Sequence, residues 1–319
     1  MAAVQRIQYH RYGGPEVMRL EEFEPREPGR GQVLVRIVAA AANPVDWAIR
    51  QGRVRFLTGR RFPRGLGHDF AGVVERVGPG VTRFRPGDPV FGGMALRSSG
   101  AFAEMGVALE KYIARKPPEL SFARAASIPT AGVTALQAVV DKGRIRAGGS
   151  VFVTGCMGAV GRTATEIALR RGASVAGSAR AETMGEARAL GVDPVVGFDT
   201  DPARIGRRFD LVLDTAGVLS KQTAHALLEP AGRVIDINPS PAKVARSVLP
   251  GRFSLLIGVW NPGELEELAR GAVHGELGFP VARTVPLAQA IEALTELERH
   301  RTPKGGKLVV TMGPTDLVD

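Results

Sequence analysis

Residues Val151–Gly161, VFVTGCMGAVG, run from four apolar or β-branched positions into Gly155-x-x-Gly158-x-x-Gly161, and a helix-forming stretch, Arg162–Leu169, follows at once. A short continuous apolar run is buried on both faces, which is the environment of a strand inside a parallel sheet. The glycines let the backbone turn sharply into a helix N-terminus. Its unpaired N–H groups and dipole favour an anion, as in the pyrophosphate cradle of dinucleotide-binding α/β proteins. The spacing alone is unspecific, because 40 of the 319 residues are glycine; the strand before it and the helix after it give it meaning. Gly155, Met157, Gly158, Ala159 and Val160 are the expected cradle.

The surrounding chain supports a doubly wound α/β domain. A helix over Ala125–Val140 precedes strand Val151–Thr154 and helix Ala159–Arg171. Strand Ser174–Ser178, helix Thr183–Leu190, strands Pro194–Phe198 and Phe209–Asp214, helix Lys221–Leu228 and strand Arg233–Asn238 follow. Such alternation requires a parallel sheet covered on both faces, a Rossmann arrangement. Earlier residues lack it. Short β segments at Gln32–Ala39, Phe70–Val77 and Pro89–Phe91 are separated by turns such as Gly78-Pro79-Gly80 and Pro86-Gly87-Asp88, which predicts a compact, partly open β barrel. Helices at Gly263–Val273 and Leu287–Arg299 and a strand at Lys307–Thr311 fall outside the alternation and are expected to return to the first domain. The expected boundaries are 1–122, 123–265 and 266–319.

Composition narrows the classes. The single cysteine, Cys156, excludes internal disulfides and a Cys-cluster zinc lobe. It lies in the phosphate loop, where it either fills a variable position or is an oxidation-sensitive thiol near a helix N-terminus. The opening residues lack an apolar signal region and no run approaches a membrane span, so a cytoplasmic protein without membrane contact is expected. A net charge of +10, carried mostly by arginine, points to an anionic partner. No aromatic-interleaved basic block accompanies it, which favours an arginine-rich surface over a nucleic-acid platform.

The second strand of the nucleotide fold decides the cofactor. An NAD site ends this strand in Asp or Glu for the ribose 2′-OH. Here it ends Val175-Ala176-Gly177-Ser178-Ala179-Arg180, offering a hydroxyl and a guanidinium. Charge-assisted hydrogen bonds to a 2′-phosphate are each worth about 1.5–3 kcal/mol, so Ser178 and Arg180 predict NADP(H). Asp214-Thr215-Ala216-Gly217 and Asn238-Pro239 end the next strands, which places Gly217 and Asn238 at the nucleotide groove.

Three further stretches carry a family resemblance. Gly67-His68-Asp69-Phe70-Ala71-Gly72-Val73-Val74-Glu75-Arg76-Val77-Gly78, continued by Gly87-Asp88-Pro89-Val90, resembles the signature of the medium-chain dehydrogenases/reductases. Ala42-Asn43-Pro44-Val45-Asp46 and Pro129-Thr130-Ala131-Gly132-Val133-Thr134-Ala135 resemble the quinone-reductase branch that includes ζ-crystallin, as do Tyr12–Val17 and Gly306–Val310. The resemblance implies a GroES-like catalytic domain, a Rossmann domain, a C-terminal segment returning to the first domain and a homodimer. It also implies that substrate and nicotinamide meet in a cleft between the domains, with Thr130, Thr134, Val259 and Lys307 near the cofactor and Trp260 in the stretch packing on the nicotinamide.

Zinc-dependent members of the superfamily hold their metal with Cys, His and Cys. Aligned motif on motif, those positions are Asn43, His68 and Thr130 here. One imidazole with an amide and a hydroxyl is a poor donor set for Zn²⁺, so no metal is expected and His68 is read as a hydrogen-bonded structural residue. Without a Lewis acid, the implied reaction is hydride transfer from NADPH to a quinone or an α,β-unsaturated carbonyl. Asn43 is the candidate hydrogen-bond donor to the developing oxyanion. Asp46 is expected to cap helix Trp47–Gln51. Relatives that reduce acyl thioesters carry a tyrosine after the glycine at Gly52; Arg53-Val54 stands there, which leaves the proton donor unassigned. A zinc alcohol dehydrogenase and an RNA-binding or structural protein of the ζ-crystallin kind are the alternatives.

Overall fold

The structure, a computed structural model, describes residues 3–199, 201, 205–300 and 305–313. Two compact units emerge: Met1–Thr130 with Trp260–Gly275 and Phe279–Asp319, and Ala131–Val259 with Glu276–Gly278.

The first unit is built on long β-branched runs. Its early strands are β1 (Val4–Tyr9), β2 (Arg19–Phe23), β3 (Gln32–Ala41), β4 (Arg64–Gly65), β5 (Asp69–Val77), β6 (Pro89–Gly93), β7 (Met105–Leu109) and β8 (Ile113–Arg115). The second unit holds β9 (Ser150–Thr154), β10 (Ser174–Ser178), β11 (Val192–Val196), β12 (Phe209–Asp214), β13 (Leu228–Asp236) and β14 (Phe253–Leu255). The chain then returns to the first unit as β15 (Val281–Pro286) and β16 (Lys307–Thr311). The large sheet of the first unit is ordered β15-β16-β3-β5-β6-β8, with β7 also on β3, and a smaller sheet is ordered β2-β1-β4. Between them lies an apolar core that includes Ile7, Val35, Ile37, Phe70, Met94 and Phe102.

β16 pairs antiparallel with β3, Val309 opposite Ala41, and β5 pairs antiparallel with β3, Asp69 also opposite Ala41. That register brings residues 43, 69 and 307, far apart in sequence, to one end of three adjacent strands.

In the second unit every strand pairing is parallel, in the order β11-β10-β9-β12-β13-β14. This is the doubly wound sheet expected from the alternation, with β9 central and the strand order reversing beside it. Phe152 and Phe209 meet inside it at a centroid distance of 5.4 Å.

Several elements differ from the sequence reading. The helix expected over Ala125–Val140 is two helices, Phe122–Ser127 and Pro129–Leu136, followed by a wider π-type turn over Gln137–Lys142. Pro129 has no N–H to donate back, so it starts a helix and cannot continue one. The helix expected at Trp47–Gln51 begins earlier, at Pro44, so Asp46 lies inside its first turn and Asn43 takes the cap position. β13 begins earlier than expected and ends at Asp236, leaving Asn238 in the loop beyond it. Strands β1, β2, β4, β7, β8, β14 and β15 have too little alternation or length to stand out in the sequence.

Candidate active site

At the shared end of β16, β3 and β5, a polar network is buried in the first unit. Asn43 Nδ2 donates to Asp69 Oδ2 at 2.9 Å and to the Ala41 carbonyl at 3.2 Å. Lys307 Nζ donates to Asn43 Oδ1 at 2.5 Å and to Asp69 Oδ2 at 3.4 Å. Thr130 donates to Asp69 twice, from Oγ1 at 2.6 Å and from its backbone N–H at 3.1 Å. Asn43, Asp69 and Lys307 are all buried. A buried carboxylate and ammonium are tolerated because each meets its opposite charge and further hydrogen-bond partners. Burial pushes the Asp69 carboxyl above its ordinary range, opposed by the Lys307 ammonium and by the donors on Thr130 and Asn43.

The geometry changes the expectation for Asn43. Both amide hydrogens are already engaged within the protein, whereas the Lys307 ammonium spends two of its three N–H bonds on described residues. Lys307 therefore has the spare donor. A second buried pair joins the helix Pro44–Arg50 to the residue before β5: Asp46 Oδ1 is 2.7 Å from His68 Nδ1, and Asp46 Oδ2 accepts from the Asn43 backbone N–H at 2.8 Å. Asp46 thus orients His68 and Asn43 together. His68 Nε2 is buried without a partner among the described residues. Asp69, which sequence reasoning left without a role, had one visible signal: a carboxylate opening a strand whose next residues, Phe70-Ala71-Gly72, are apolar and buried.

The second unit forms the phosphate loop. Gly155 has φ +62°, where a side chain is strained, and a Cβ on Gly161 would lie 2.1 Å from the Gly155 carbonyl oxygen. Helix Ala159–Arg170 begins there; its first intrahelical bond is Arg162 N–H to Gly158 O, so the preceding N–H groups have no helical acceptor. Met157, Gly158, Ala159 and Val160 line this turn. Ser178 is buried at the end of β10 with its Oγ 3.3 Å from the Gly155 N–H, while Arg180 is exposed just beyond. Gly217 and Asn238 face each other past β12 and β13, where Asn238 Nδ2 donates to the Asp214 and Thr215 carbonyls at 3.2 and 3.4 Å. Thr134 is buried against Gly258. Val259 is exposed, its backbone clasped by the Gln137 side chain at 2.9 and 3.4 Å. Trp260 belongs to the first unit, where it lies edge-on to Tyr112 at 5.9 Å.

Cys156 is not a reactive thiol. It is fully buried, and burial pushes its pKa up to about 11.

Comparison with known proteins places the chain. Residues 29–118 match the alcohol dehydrogenase GroES-like domain family, and residues 190–310 match the family described as zinc-binding dehydrogenase. A chloroplast envelope quinone oxidoreductase homolog of Arabidopsis thaliana is 32% identical over 322 residues, covering 95% of this chain and 97% of its own. The chain belongs to the medium-chain dehydrogenase/reductase superfamily, in its quinone oxidoreductase branch. The solved structure of the quinone oxidoreductase from Coxiella burnetii superposes with a TM-score of 0.88 at 28% identity, covering 97% of this chain and 99% of that one. An NADPH-dependent alkenal/one oxidoreductase of Arabidopsis thaliana is 34% identical over 241 residues, 71% of this chain and 60% of its own.

Membership of this reductase family implies a nicotinamide cofactor, and the glycine turn of the second unit fits its pyrophosphate. Among the described residues, no group of three or more His, Cys, Asp or Glu side chains is placed to hold a metal, and no helix is long and apolar enough to cross a membrane.

Proposed function

We propose that this oxidoreductase reduces quinones or α,β-unsaturated carbonyls with NADPH and without zinc. The observation that carries the reading is the Lys307 ammonium, bonded to Asn43 Oδ1 and Asp69 Oδ2 beside two positions, Asn43 and Thr130, that align with zinc ligands. A fixed positive charge there repels a metal cation and supplies, from the protein, the polarisation that a metal would give.

The glycine turn would hold the cofactor by its pyrophosphate, and the cofactor, when bound, would supply the hydride for the acceptor. The Lys307 N–H left free by Asn43 and Asp69 donates to the acceptor oxygen as negative charge develops there. Asn43 and Asp69 position Lys307 by accepting from its ammonium, and Thr130 holds Asp69 in place; Asn43 acts through this lysine. One proton from solvent completes the two-electron reduction to hydroquinone or saturated carbonyl. The reading for NADPH over NADH rests on the absence of a carboxylate at the end of β10 and on Arg180, whose guanidinium bonds to no described residue. A role for Thr134 and Val259 at the nicotinamide follows the family resemblance, as does a homodimer. Val248, Leu249, Ile257 and Val259, exposed within one short stretch, are apolar surface suited to the dimer contact.

A panel of acceptors tests the reading. NADPH is expected to be oxidised by 9,10-phenanthrenequinone and by enones, faster than NADH, with no oxidation of primary alcohols by NADP⁺. Alcohol turnover that needs added zinc would overturn it, and so would tight, salt-sensitive RNA binding with no acceptor driving NADPH oxidation.

A further inference from the structure

A recess of about 310 Å³ in the first unit shares no lining residue with the Asn43–Lys307 network. Five arginines line it, Arg6, Arg26, Arg61, Arg64 and Arg97, with one carboxylate, Glu24. Several guanidiniums elsewhere pair with acids, as in Arg76–Glu27, Arg115–Asp88 and Arg162–Glu166. Around the recess they are fixed by neutral groups. Arg26 Nη1 donates to Gln32 Oε1 at 2.7 Å, and Arg97 Nε donates to the Leu57 carbonyl at 3.1 Å. Arg6 Nε donates to Gln8 Oε1 at 3.1 Å, and its guanidinium stacks 4.1 Å from the Phe23 ring centroid. Arg61 makes no hydrogen bond or ion pair among the described residues.

Arg64 is the informative member. Only 6% exposed, it donates from Nη2 to the Thr58 carbonyl at 2.5 Å, while its Nη1 is buried with no partner among the described residues. The Tyr9 phenol lies against Arg64 as a polar neighbour without countercharge: burial raises its pKa to about 12, opposed by the Arg64 guanidinium, and its hydroxyl, like Arg64 Nη1, is buried without a geometric hydrogen-bond partner among the described residues. A buried guanidinium with an orphaned edge and no carboxylate is costly to fold unless something anionic completes it. Planar guanidinium edges match phosphoryl oxygens in pairs, and several of them around one recess select for more than one phosphoryl group.

We propose that this recess binds the di- or triphosphate group of a small molecule, with Arg64 at its floor and Arg61 and Arg97 at its rim. The site is independent of the redox reading, since it lies within one unit and uses none of the residues assigned to hydride transfer.

Calorimetric titration with pyrophosphate and tripolyphosphate, on protein saturated with NADPH to fill the phosphate loop, tests this. Wild type is expected to bind both more tightly than monophosphate, with affinity falling steeply as salt rises. The double variant Arg61→Ala/Arg97→Ala, which changes two exposed side chains, is expected to weaken binding at least tenfold without lowering Tm. Arg64→Ala is expected to abolish binding, provided its circular dichroism remains native. No heat from wild type, or equal affinity in wild type and the Arg61→Ala/Arg97→Ala variant, would overturn the proposal. The second result would locate the anion elsewhere, the phosphate loop included.

Discussion

Each unit buries a carboxylate at the end of a strand, and the two are satisfied in different ways. In the second unit Asp214 accepts from Thr154 Oγ1 at 2.7 Å and from the backbone N–H groups of Gly217, Val218 and Leu219 at 2.8, 3.3 and 3.1 Å. That carboxylate is a clamp: main chain surrounds it, and its work is to fix the loop after β12. In the first unit Asp69 is met by an amide, a hydroxyl, one backbone N–H and an ammonium with a donor to spare. A network made of side chains can present a charge to a substrate, whereas one made of backbone mainly holds shape. On the proposed function, structure-holding falls to Asp214 and chemistry to the network around Asp69.

The largest expected effect separates the two directly. Lys307→Met alone would leave Asp69 as an unpaired buried charge, so it is combined with Asp69→Asn. The double variant is expected to fold and to lose about 10²–10³ in kcat for quinone reduction, the scale of one oxyanion donor, while its Kd for NADPH stays within about twofold. Steady-state kinetics with fluorescence titration checks this, and an undiminished kcat would return the assignment to Asn43.

Asp214→Ala should do the reverse. It strips the acceptor from the buried Thr154 hydroxyl, at about 1–3 kcal/mol, and from three partly exposed N–H groups that fix the loop, so Tm should fall by a few degrees. Nucleotide binding should weaken along with it. An unchanged melting curve would show that water replaces the clamp. A smaller and more selective effect is expected from Arg180→Ala: Kd for NADPH rises more than tenfold and Kd for NADH barely moves. Equal losses for both would remove the case for the 2′-phosphate. Cys156 should show the least. With its pKa near 11 and its side chain enclosed, iodoacetamide at pH 8 should leave the native protein unalkylated and fully active, and rapid labelling would contradict the packing described.

The units also differ in how much of them could be read from sequence. The phosphate loop occupies one contiguous segment, Val151–Gly161, in which strand, turn and helix start are all local, so it is legible residue by residue. The network in the first unit joins Asn43, Asp69, Thr130 and Lys307 from four separated segments. Sequence comparison could place Asn43, Thr130 and Lys307 each near the chemistry. Only the β16–β3–β5 register shows that Lys307 sits on Asn43 and that Asp69 lies beneath both. The same limit explains the helix expected across Ile128: apolar periodicity continues through Pro129, but the missing N–H divides it. It explains Arg64 as well, which in sequence is one arginine among many and in the fold is buried with an open edge.

The central claim is that a protein cation stands in for a metal in this reductase. The most direct measurement is elemental analysis of tag-free protein, paired with its NADPH–phenanthrenequinone rate before and after exhaustive dialysis against chelator. The account predicts substoichiometric zinc and an unchanged rate. One zinc per chain, with activity lost on chelation and restored by zinc, would contradict it.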